Sequence, residues 1–249
     1  MKGTTNEILT ATMLKKILLF FIAFAMIVGV GTFALAEETP NSSKEYLEYL
    51  QLVSDGILDE EITFEYWQQL NELSSRLEAE LEQSTQFTLV YNSLSSSSSS
   101  SYSMEAGDVF ITNATSSKGL TGHAGIAISS TKILHIAGPD HNPETVTLSQ
   151  WHTTYTDHGW TKVYRHEDSE VASAAAKWAK DTYEGSDAEY KIDMRLDTTH
   201  ETYCSKIVWQ AYYYGPDSHH ANGPTIGVRL PYDLPITIHN LSLVKTFDD

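Results

Sequence analysis

Seven consecutive serines, Ser95–Ser101, interrupt the 249-residue chain and limit what it can fold into. Such a run has no apolar side chains to bury, so it is typical of a flexible tether between folded parts. The part before the serines is too short for a large core, whereas the part after them has about 145 residues, a usual domain size. The sequence therefore predicts a signal peptide at 1–36, a helical hairpin at 37–92, a serine-rich linker at 93–103 and the main domain at 104–249.

The apolar run from Ile17 to Phe33 follows two lysines and ends at Ala34-Leu35-Ala36, just before two glutamates. A charged start, an apolar centre and a small-residue end are the parts of a secretory signal, so we expect export and cleavage after Ala36. The run is also close to the length of a membrane span, which leaves an uncleaved anchor as the alternative. After cleavage, no stable membrane insertion is expected.

The chain is strongly acidic, with 33 Asp and Glu against 16 Lys and Arg and a formal net charge of −17. Residues 1–36 hold three lysines and one glutamate, so their removal changes the charge from −17 to −19. A surface of this charge repels the phosphates of nucleic acids and anionic lipid head groups. The composition therefore argues against nucleic acid as a partner.

Apolar residues before the serines recur at helical spacing over 62–81 and predict an amphipathic helix with Asp59 as its N-cap. A shorter helix over 43–54 precedes it, and Asp55-Gly56 supplies the turn. Because fewer than about 60 residues hardly build a core, we expect this hairpin to pack on the rest of the protein or on a partner. A docking arm, a binding module for a partner and a removable cover over the site all stay open.

Several elements of the main domain follow from local patterns. The stretches GDVFIT and TKVYR have the β-branched and aromatic content of strands. Asp168 is a predicted N-cap for a helix that runs through EVASAAAKWAKDTY. Trp151 and Trp160 flank a predicted loop rich in threonine and histidine, where they are candidates for a cleft wall.

Cys204 is the only cysteine, so the chain forms no intramolecular disulfide. In an oxidising compartment such a residue is either a buried small hydrophobe or a reactive thiol. An apolar periodic run follows it, with Thr202 as N-cap, and predicts a helix with Cys204 in its first turn. The unpaired amides of a first turn favour the thiolate over the thiol and can help to hold an oxyanion during acyl transfer.

Two histidines lie on a predicted β-hairpin formed by HAGIAIS and KILHIAG, with residues 129–131 as its loop. With this three-residue loop Gly125 faces His135, and His123 shares that side of the sheet because it lies two positions from Gly125. Both imidazoles then lie on one face, opposite the helix that starts at Cys204. A two-residue loop would put them on opposite faces and dismantle the site.

A thiol, an imidazole and a second imidazole that orients the first are the parts needed for nucleophilic catalysis by cysteine. His123 could instead be a strand-end histidine bonded to a backbone group, and His135 a core histidine with a satisfied ring. Gly122 and Gly125 leave room for a close approach and favour the functional interpretation. We predict Cys204, His123 and His135 as the catalytic residues.

The remaining histidines show neither HExxH spacing nor a cysteine pair, so the sequence predicts no metal site and no other cofactor. They are scattered over the main domain: His141, His152, His158, His166, His200, His219, His220 and His239.

Four stretches, GDVFITNATSSKGLTGHAGIAIS, ILHIAGP, TYCSKIVWQAY and LPYDL, span about residues 105 to 235. They resemble the circularly permuted papain-like hydrolases of the YiiX type, relatives of the NlpC-type cell-wall peptidases and of lecithin retinol acyltransferase. In ordinary papain-like enzymes the cysteine helix precedes the histidine strand, whereas here His123 precedes Cys204, as in the permuted branch.

The resemblance implies an α+β, permuted papain-like fold in which an antiparallel sheet packs against helices that include the cysteine helix. It also implies Cys204 as nucleophile, His123 as general base and His135 as the third member that orients His123. Other permuted members carry a glutamate in the third position.

We therefore expect a secreted cysteine hydrolase of a bacterial cell envelope, an amidase or peptidase that acts through a thioester acyl-enzyme. Its substrate would be a peptide or a cell-wall fragment, by analogy with the wall peptidases. Two alternatives remain: a lipid-directed thioesterase or acyltransferase, which the histidine spacing permits, and a non-catalytic binding protein that retains the fold.

Overall fold

The computed structural model describes residues 44–94, 102–115 and 121–248. The predicted signal peptide at 1–36 and the serine run Ser95–Ser101 lie outside these residues. The described residues form an α+β structure with an antiparallel sheet, as predicted, and six α-helices.

The helices are α1 (Lys44–Ser54), α2 (Phe64–Leu94), α3 (Leu148–Tyr155), α4 (Ser169–Tyr183), α5 (Cys204–Tyr214) and α6 (Leu234–Thr237). The strands are β1 (Val109–Thr112), β2 (His123–Ala127), β3 (Ile133–His135), β4 (Glu144–Val146), β5 (Thr161–His166), β6 (Glu189–Tyr190), β7 (Glu201–Thr202) and β8 (Leu241–Phe247). Short 3₁₀ helices lie at Thr156–His158 and Pro231–Asp233. None of the helices in the described ranges has the length and hydropathy of a membrane span.

Six strands form one sheet in the order β4-β3-β2-β1-β5-β8, and every neighbouring pair is antiparallel. Because strand residues alternate between the two faces, each face has its own apolar core. Helix α3 covers one face, where Trp151 packs with Phe110 and Ile133. Helices α4 and α5 cover the other face, where the larger core includes Ile111 and Ile126.

The β2–β3 hairpin has the register that the three-residue loop predicts. Ile126 pairs with Leu134, and the Ile128 amide donates to the Lys132 carbonyl at 2.9 Å. Continuing this register places Gly125 opposite His135, so the expected placement of both histidines on one face of the sheet is confirmed.

The N-terminal hairpin is present, and its turn is at Gly56, where φ is 71°. The predicted N-cap of its second helix is wrong. The Thr63 hydroxyl caps α2 by accepting from the Tyr66 amide at 3.3 Å. Asp59 lies in the preceding turn, where its carboxylate accepts from the Glu61 amide at 2.9 Å.

Helices α1 and α2 pack on the main domain. Leu52, Trp67 and Leu77 belong to the same apolar core as the sheet and α5. The connection between the helices also pairs with the main domain, since the Ile192 amide donates to the Ile57 carbonyl at 2.8 Å. The hairpin therefore packs on the rest of the protein, which is one of the two expected alternatives.

The prediction for α4 is confirmed, including its N-cap. The Asp168 carboxylate accepts from the amides of Glu170 and Val171 at the first turn. The predicted strands at GDVFIT and TKVYR correspond to β1 and β5. Strand β8, which completes the sheet beside β5, had not been predicted.

Candidate active site

His123 begins β2 and His135 ends β3, and each side chain is 2% exposed. The shared face of the hairpin brings the two rings together, with Nε2 of His123 3.0 Å from Nδ1 of His135. The rings are nearly perpendicular, at 84°. One ring must therefore donate a hydrogen bond to the other, while Nε2 of His135 is buried without a partner among the described residues.

The histidine pair is electrically neutral at neutral pH. Burial lowers the pKa of His123 well below its ordinary value, and the neighbouring His135 lowers it further. Burial, together with the charge of His141, lowers the pKa of His135 to about 4. A neutral imidazole is the form that can accept a proton, so His123 keeps the protonation state required of a general base.

Helix α3 packs its aromatic side chains against the histidine pair. The Trp151 ring stacks on His123 with a centroid distance of 5.5 Å, and the Tyr155 ring lies 4.7 Å from His123. The Trp151 indole donates to the Thr161 hydroxyl at 3.2 Å, which fixes its orientation. These contacts hold the His123 ring in place.

The predicted loop around Trp151 is wrong, because this residue lies on a helix and is fully buried. A capping box begins the helix: the Thr147 hydroxyl accepts from the Gln150 amide at 3.2 Å, and the Gln150 side chain accepts from the Thr147 amide at 2.8 Å. The Thr-x-x-Gln pattern was the signal in the sequence that could have found α3.

Cys204 is the first residue of α5 and is 7% exposed, so the prediction of a first-turn cysteine is confirmed. The predicted N-cap is wrong, since Tyr203 holds that position without a side-chain cap and Thr202 lies in β7. The first helical hydrogen bond joins the Ile207 amide to the Tyr203 carbonyl at 3.1 Å. The amides of Cys204 and Ser205 precede it and are directed at the sulfur.

The expectation of a lowered thiol pKa is wrong in sign. Burial raises the pKa of the Cys204 thiol, and this effect exceeds the opposing one of the Ala124 amide, the Ser205 hydroxyl and the amides of Ser205 and Cys204. The loss of hydration destabilises the thiolate more than the amides at the start of the helix stabilise it. At neutral pH Cys204 is therefore present as a thiol rather than a thiolate.

The structure joins the two histidines to each other but does not place Cys204 opposite them across one face. The histidine rings lie on the α3 side of the sheet, whereas Cys204 packs with Ala124 and Ile126 on the α5 side. Cys204 comes close to the start of β2, where the Ala124 amide lowers the pKa of the thiol. The contacts of the described residues include no hydrogen bond between the Cys204 thiol and the His123 ring.

Three tyrosines from separate elements lie within electrostatic reach of the thiol. They are Tyr155 of α3, Tyr190 of β6 and Tyr232 of the second 3₁₀ helix, and we call them the tyrosine shell. Burial raises the pKa of each phenol, and the charge of Cys204 adds to this effect. None of the three was predicted from the sequence, although Tyr232 lies in the LPYDL motif.

A buried ion pair anchors the cysteine helix. The Lys206 ammonium, fully buried in α5, lies 2.9 and 3.0 Å from the two carboxylate oxygens of Asp193. It also donates to the Glu201 carbonyl at 2.8 Å and to the Thr198 hydroxyl at 3.2 Å. Burial raises the pKa of Asp193 and lowers that of Lys206, while the pairing opposes both shifts. The segment between β6 and β7 is thereby fixed to α5.

In the described part of the chain, no group of three or more His, Cys, Asp or Glu side chains is arranged to hold a metal ion. The candidate site thus consists of Cys204, the histidine pair, the aromatic side chains of α3 and the tyrosine shell.

A thiol at the start of a helix, next to a strand end that carries a paired imidazole, defines an α+β protein with a thiol–imidazole site. The chain belongs to the family of lipoprotein N-acylation proteins of the LnsA-like type, whose model matches residues 78–247. The matched residues include both histidines and Cys204.

One relative, named as an uncharacterized 30.3 kDa protein of Bacillus thuringiensis, is 38% identical over 158 residues. The match covers 59% of this chain, and the chain spans only 58% of that relative's length. The crystal structure of the metalloprotein yiiX from Escherichia coli O157:H7 is similar at 16% identity, with a TM-score of 0.43, over 59% of this chain and 100% of that one. A TM-score of this size supports no conclusion about the site.

Proposed function

We propose that the protein is a cysteine acyltransferase that takes an acyl group onto Cys204 as a thioester and passes it to an amine. The buried thiol at the start of α5 is the observation that carries this proposal, in a chain whose family is named for the N-acylation of lipoproteins. Transfer to an amine requires that the thioester survive water. Cys204 is 7% exposed and the tyrosine shell lies within electrostatic reach of its thiol, and this burial meets the requirement.

His123 is the general base and His135 the residue that orients it. We assign the His123 proton to Nε2, from which it is donated to Nδ1 of His135 at 3.0 Å. This leaves Nδ1 of His123 free to accept the thiol proton. A positioning partner that fixes the tautomer of a catalytic histidine is a recurring feature of such sites.

The reaction has two steps. In the first, His123 takes the thiol proton, the Cys204 sulfur bonds to the carbonyl carbon of an acyl ester, and the alcohol departs with that proton. In the second, the amine attacks the thioester, the carbon–sulfur bond breaks, and the proton lost by the amine returns through His123 to the thiolate. The product is an amide, and the enzyme is regenerated without a redox step.

The permuted papain-like arrangement is part of the same proposal. The histidine strands precede the cysteine helix in the chain, and the Cys204 helix packs against the sheet next to the strand that begins at His123. Export, predicted from residues 1–36, would bring the site to exported lipoproteins in a bacterial cell envelope.

An amidase or peptidase acting on cell-wall peptides, as expected from the sequence, would use the same thioester with water as acceptor. The burial of the thiol favours the amine. The acyl donor would be an ester-linked lipid, so the proposal corresponds to the lipid-directed alternative of the sequence analysis.

The test incubates the full chain with dioleoyl phosphatidylcholine vesicles and a diacylglyceryl-cysteinyl peptide that has a free amino terminus. These vesicles have no net charge, which avoids repulsion by the acidic protein. Mass spectrometry should detect an oleoyl group on the peptide amine and a hydroxylamine-sensitive oleoyl group on Cys204. The Cys204→Ser variant and the same peptide with an acetylated amine are the matched controls.

Loss of transfer with Cys204→Ser and with the acetylated peptide supports the proposal. A parallel incubation with cell-wall digests identifies the rival activity. Peptide-bond cleavage in the digests that depends on Cys204, without acyl transfer to the lipopeptide, would establish the amidase and reject the acyltransferase.

A further inference from the structure

The phenol of Tyr232 lies directly against the backbone that precedes His123. A Cβ atom built on Gly122 would be 2.6 Å from Cζ of Tyr232 and 2.8 Å from its hydroxyl oxygen, a distance that real Cβ atoms do not show. Gly122 also has φ of 83°, so glycine is required there by both space and backbone conformation. The tyrosine hydroxyl is thereby placed at the strand end where the Ala124 amide meets the Cys204 sulfur.

Of the six buried tyrosines in the described residues, Tyr155, Tyr164 and Tyr232 make no hydrogen bond through the hydroxyl, whereas the other three do. Tyr212 donates to the Gly107 carbonyl at 2.6 Å, and the hydroxyl of Tyr203 accepts from the Arg229 amide at 3.0 Å. Tyr232 is only 2% exposed, yet its hydroxyl makes no hydrogen bond with the residues that the structure describes. A phenol whose hydroxyl makes no hydrogen bond within the protein can donate one to a ligand.

Tyr232 and the His123 ring belong to opposite faces of the sheet. Tyr155 and Trp151 pack on the His123 ring from the α3 face of the sheet. Tyr232 belongs to the core of the opposite face, together with Cys204. When a thiolate attacks a carbonyl, the oxygen that becomes negative must be stabilised by donors other than the base that removed the thiol proton.

We propose that Tyr232 is a further catalytic residue, whose hydroxyl donates a hydrogen bond to the carbonyl oxygen of the acyl group while Cys204 attacks it. The proposal rests on the proposed acyl transfer and adds an oxyanion donor to it. The carbon–sulfur bond forms, the carbonyl electron pair moves to the oxygen, and Tyr232 and the Cys204 amide bind that oxygen. When the pair returns, the ester carbon–oxygen bond breaks and the alcohol leaves with the proton held by His123.

The surroundings keep Tyr232 in the donor form. Burial raises the pKa of its phenol, and the carboxylates of Glu78 and Glu82 in α2 and the charge of Cys204 raise it further. The phenol therefore stays protonated at neutral pH and well above it. The rate loss on removing the hydroxyl should accordingly be the same at every pH at which the enzyme acylates.

The test compares two reactions of Cys204 in the full chain. Acylation by p-nitrophenyl butyrate passes through an oxyanion, whereas alkylation by iodoacetamide displaces iodide and forms none. For Tyr232→Phe we expect acylation to slow by about 100- to 1,000-fold, the usual loss for one oxyanion donor, and alkylation to change by less than about threefold. Tyr164→Phe is the matched control, since Tyr164 is buried in the same core but lies outside the site, and both of its rates should equal the wild-type rates.

The outcomes separate this proposal from the proposed function. Equal losses in acylation and alkylation for Tyr232→Phe would assign the effect to disturbed packing and overturn the donor role. An unchanged acylation rate would overturn it as well and leave acyl transfer standing. A wild-type acyl-enzyme that passes nothing to an amine would reject acyl transfer but keep the donor role, and a wild type that forms no acyl-enzyme would reject both.

Discussion

His135→Asn should make the protein less sensitive to acid. In the native protein, burial and the charge of His141 lower the pKa of His135 to about 4, against an ordinary value of 6.5 in the unfolded chain. Below pH 6.5 the unfolded chain binds a proton at this position and the native protein does not. The contribution of the neutral His135 ring to the free energy of unfolding is therefore fully present above pH 6.5, and it is lost as the pH falls towards 4.

The size of the effect follows from the same two values. Each pKa unit corresponds to about 1.4 kcal/mol, so the full shift is worth about 3 kcal/mol, of which about 2 kcal/mol is lost between pH 7 and pH 5. No discount for solvent is needed, because the side chain is 2% exposed. His135→Asn removes the titrating group but keeps a polar side chain next to Nε2 of His123.

Urea unfolding at pH 7 and pH 5 measures the difference. From pH 7 to pH 5 the wild type should lose about 2 kcal/mol more of its free energy of unfolding than His135→Asn. His200→Asn replaces an exposed histidine and should follow the wild type. If His135→Asn and the wild type lose the same free energy, the argument that His135 is held neutral by burial is refuted.

Three further predictions concern the surroundings of the thiol. Lys206→Met leaves Asp193 buried without its partner and should destabilise the protein by about 3 to 5 kcal/mol in urea unfolding, while the added Asp193→Leu should restore part of the loss. Gly122→Ala should lower the melting temperature and slow acylation at least as much as Tyr232→Phe, because the new methyl group displaces the phenol. Deletion of residues 37–94 should abolish cooperative unfolding, since the hairpin shares the main core; a folded, active short chain would show instead that the hairpin is a removable cover.

Local patterns in the sequence predict those elements whose geometry is decided locally. The loop at 129–131 fixes the hairpin register, and a strand period of two then determines which face each histidine occupies. The N-cap at Asp168 and the turn at Gly56 are equally local, and both predictions are confirmed. Helix α3 could have been predicted in the same way, because the capping pattern from Thr147 to Gln150 is visible in the sequence.

The contacts that depend on long-range packing could not be predicted in this way. Lys206 and Asp193 are 13 residues apart, and charged side chains are mostly exposed, so nothing in their spacing predicts a buried pair. Tyr232 reaches the start of β2 from a segment more than a hundred residues later in the chain. Only the clash with a Cβ at Gly122 reveals the fit between them.

The pKa of the Cys204 thiol depends on both local structure and long-range packing, and the sign of its shift matters for the chemistry. A helix start favours the thiolate locally, but the surrounding core removes water from Cys204 and raises its pKa. A thiol is shielded from chance oxidation and alkylation, and in the proposed mechanism it becomes a thiolate only when His123 takes its proton. In the same mechanism, the burial of Cys204 also keeps water from the thioester. Slow reaction of resting Cys204 with iodoacetamide is therefore what an acyltransferase of this design should show, and such slowness is no evidence against catalysis.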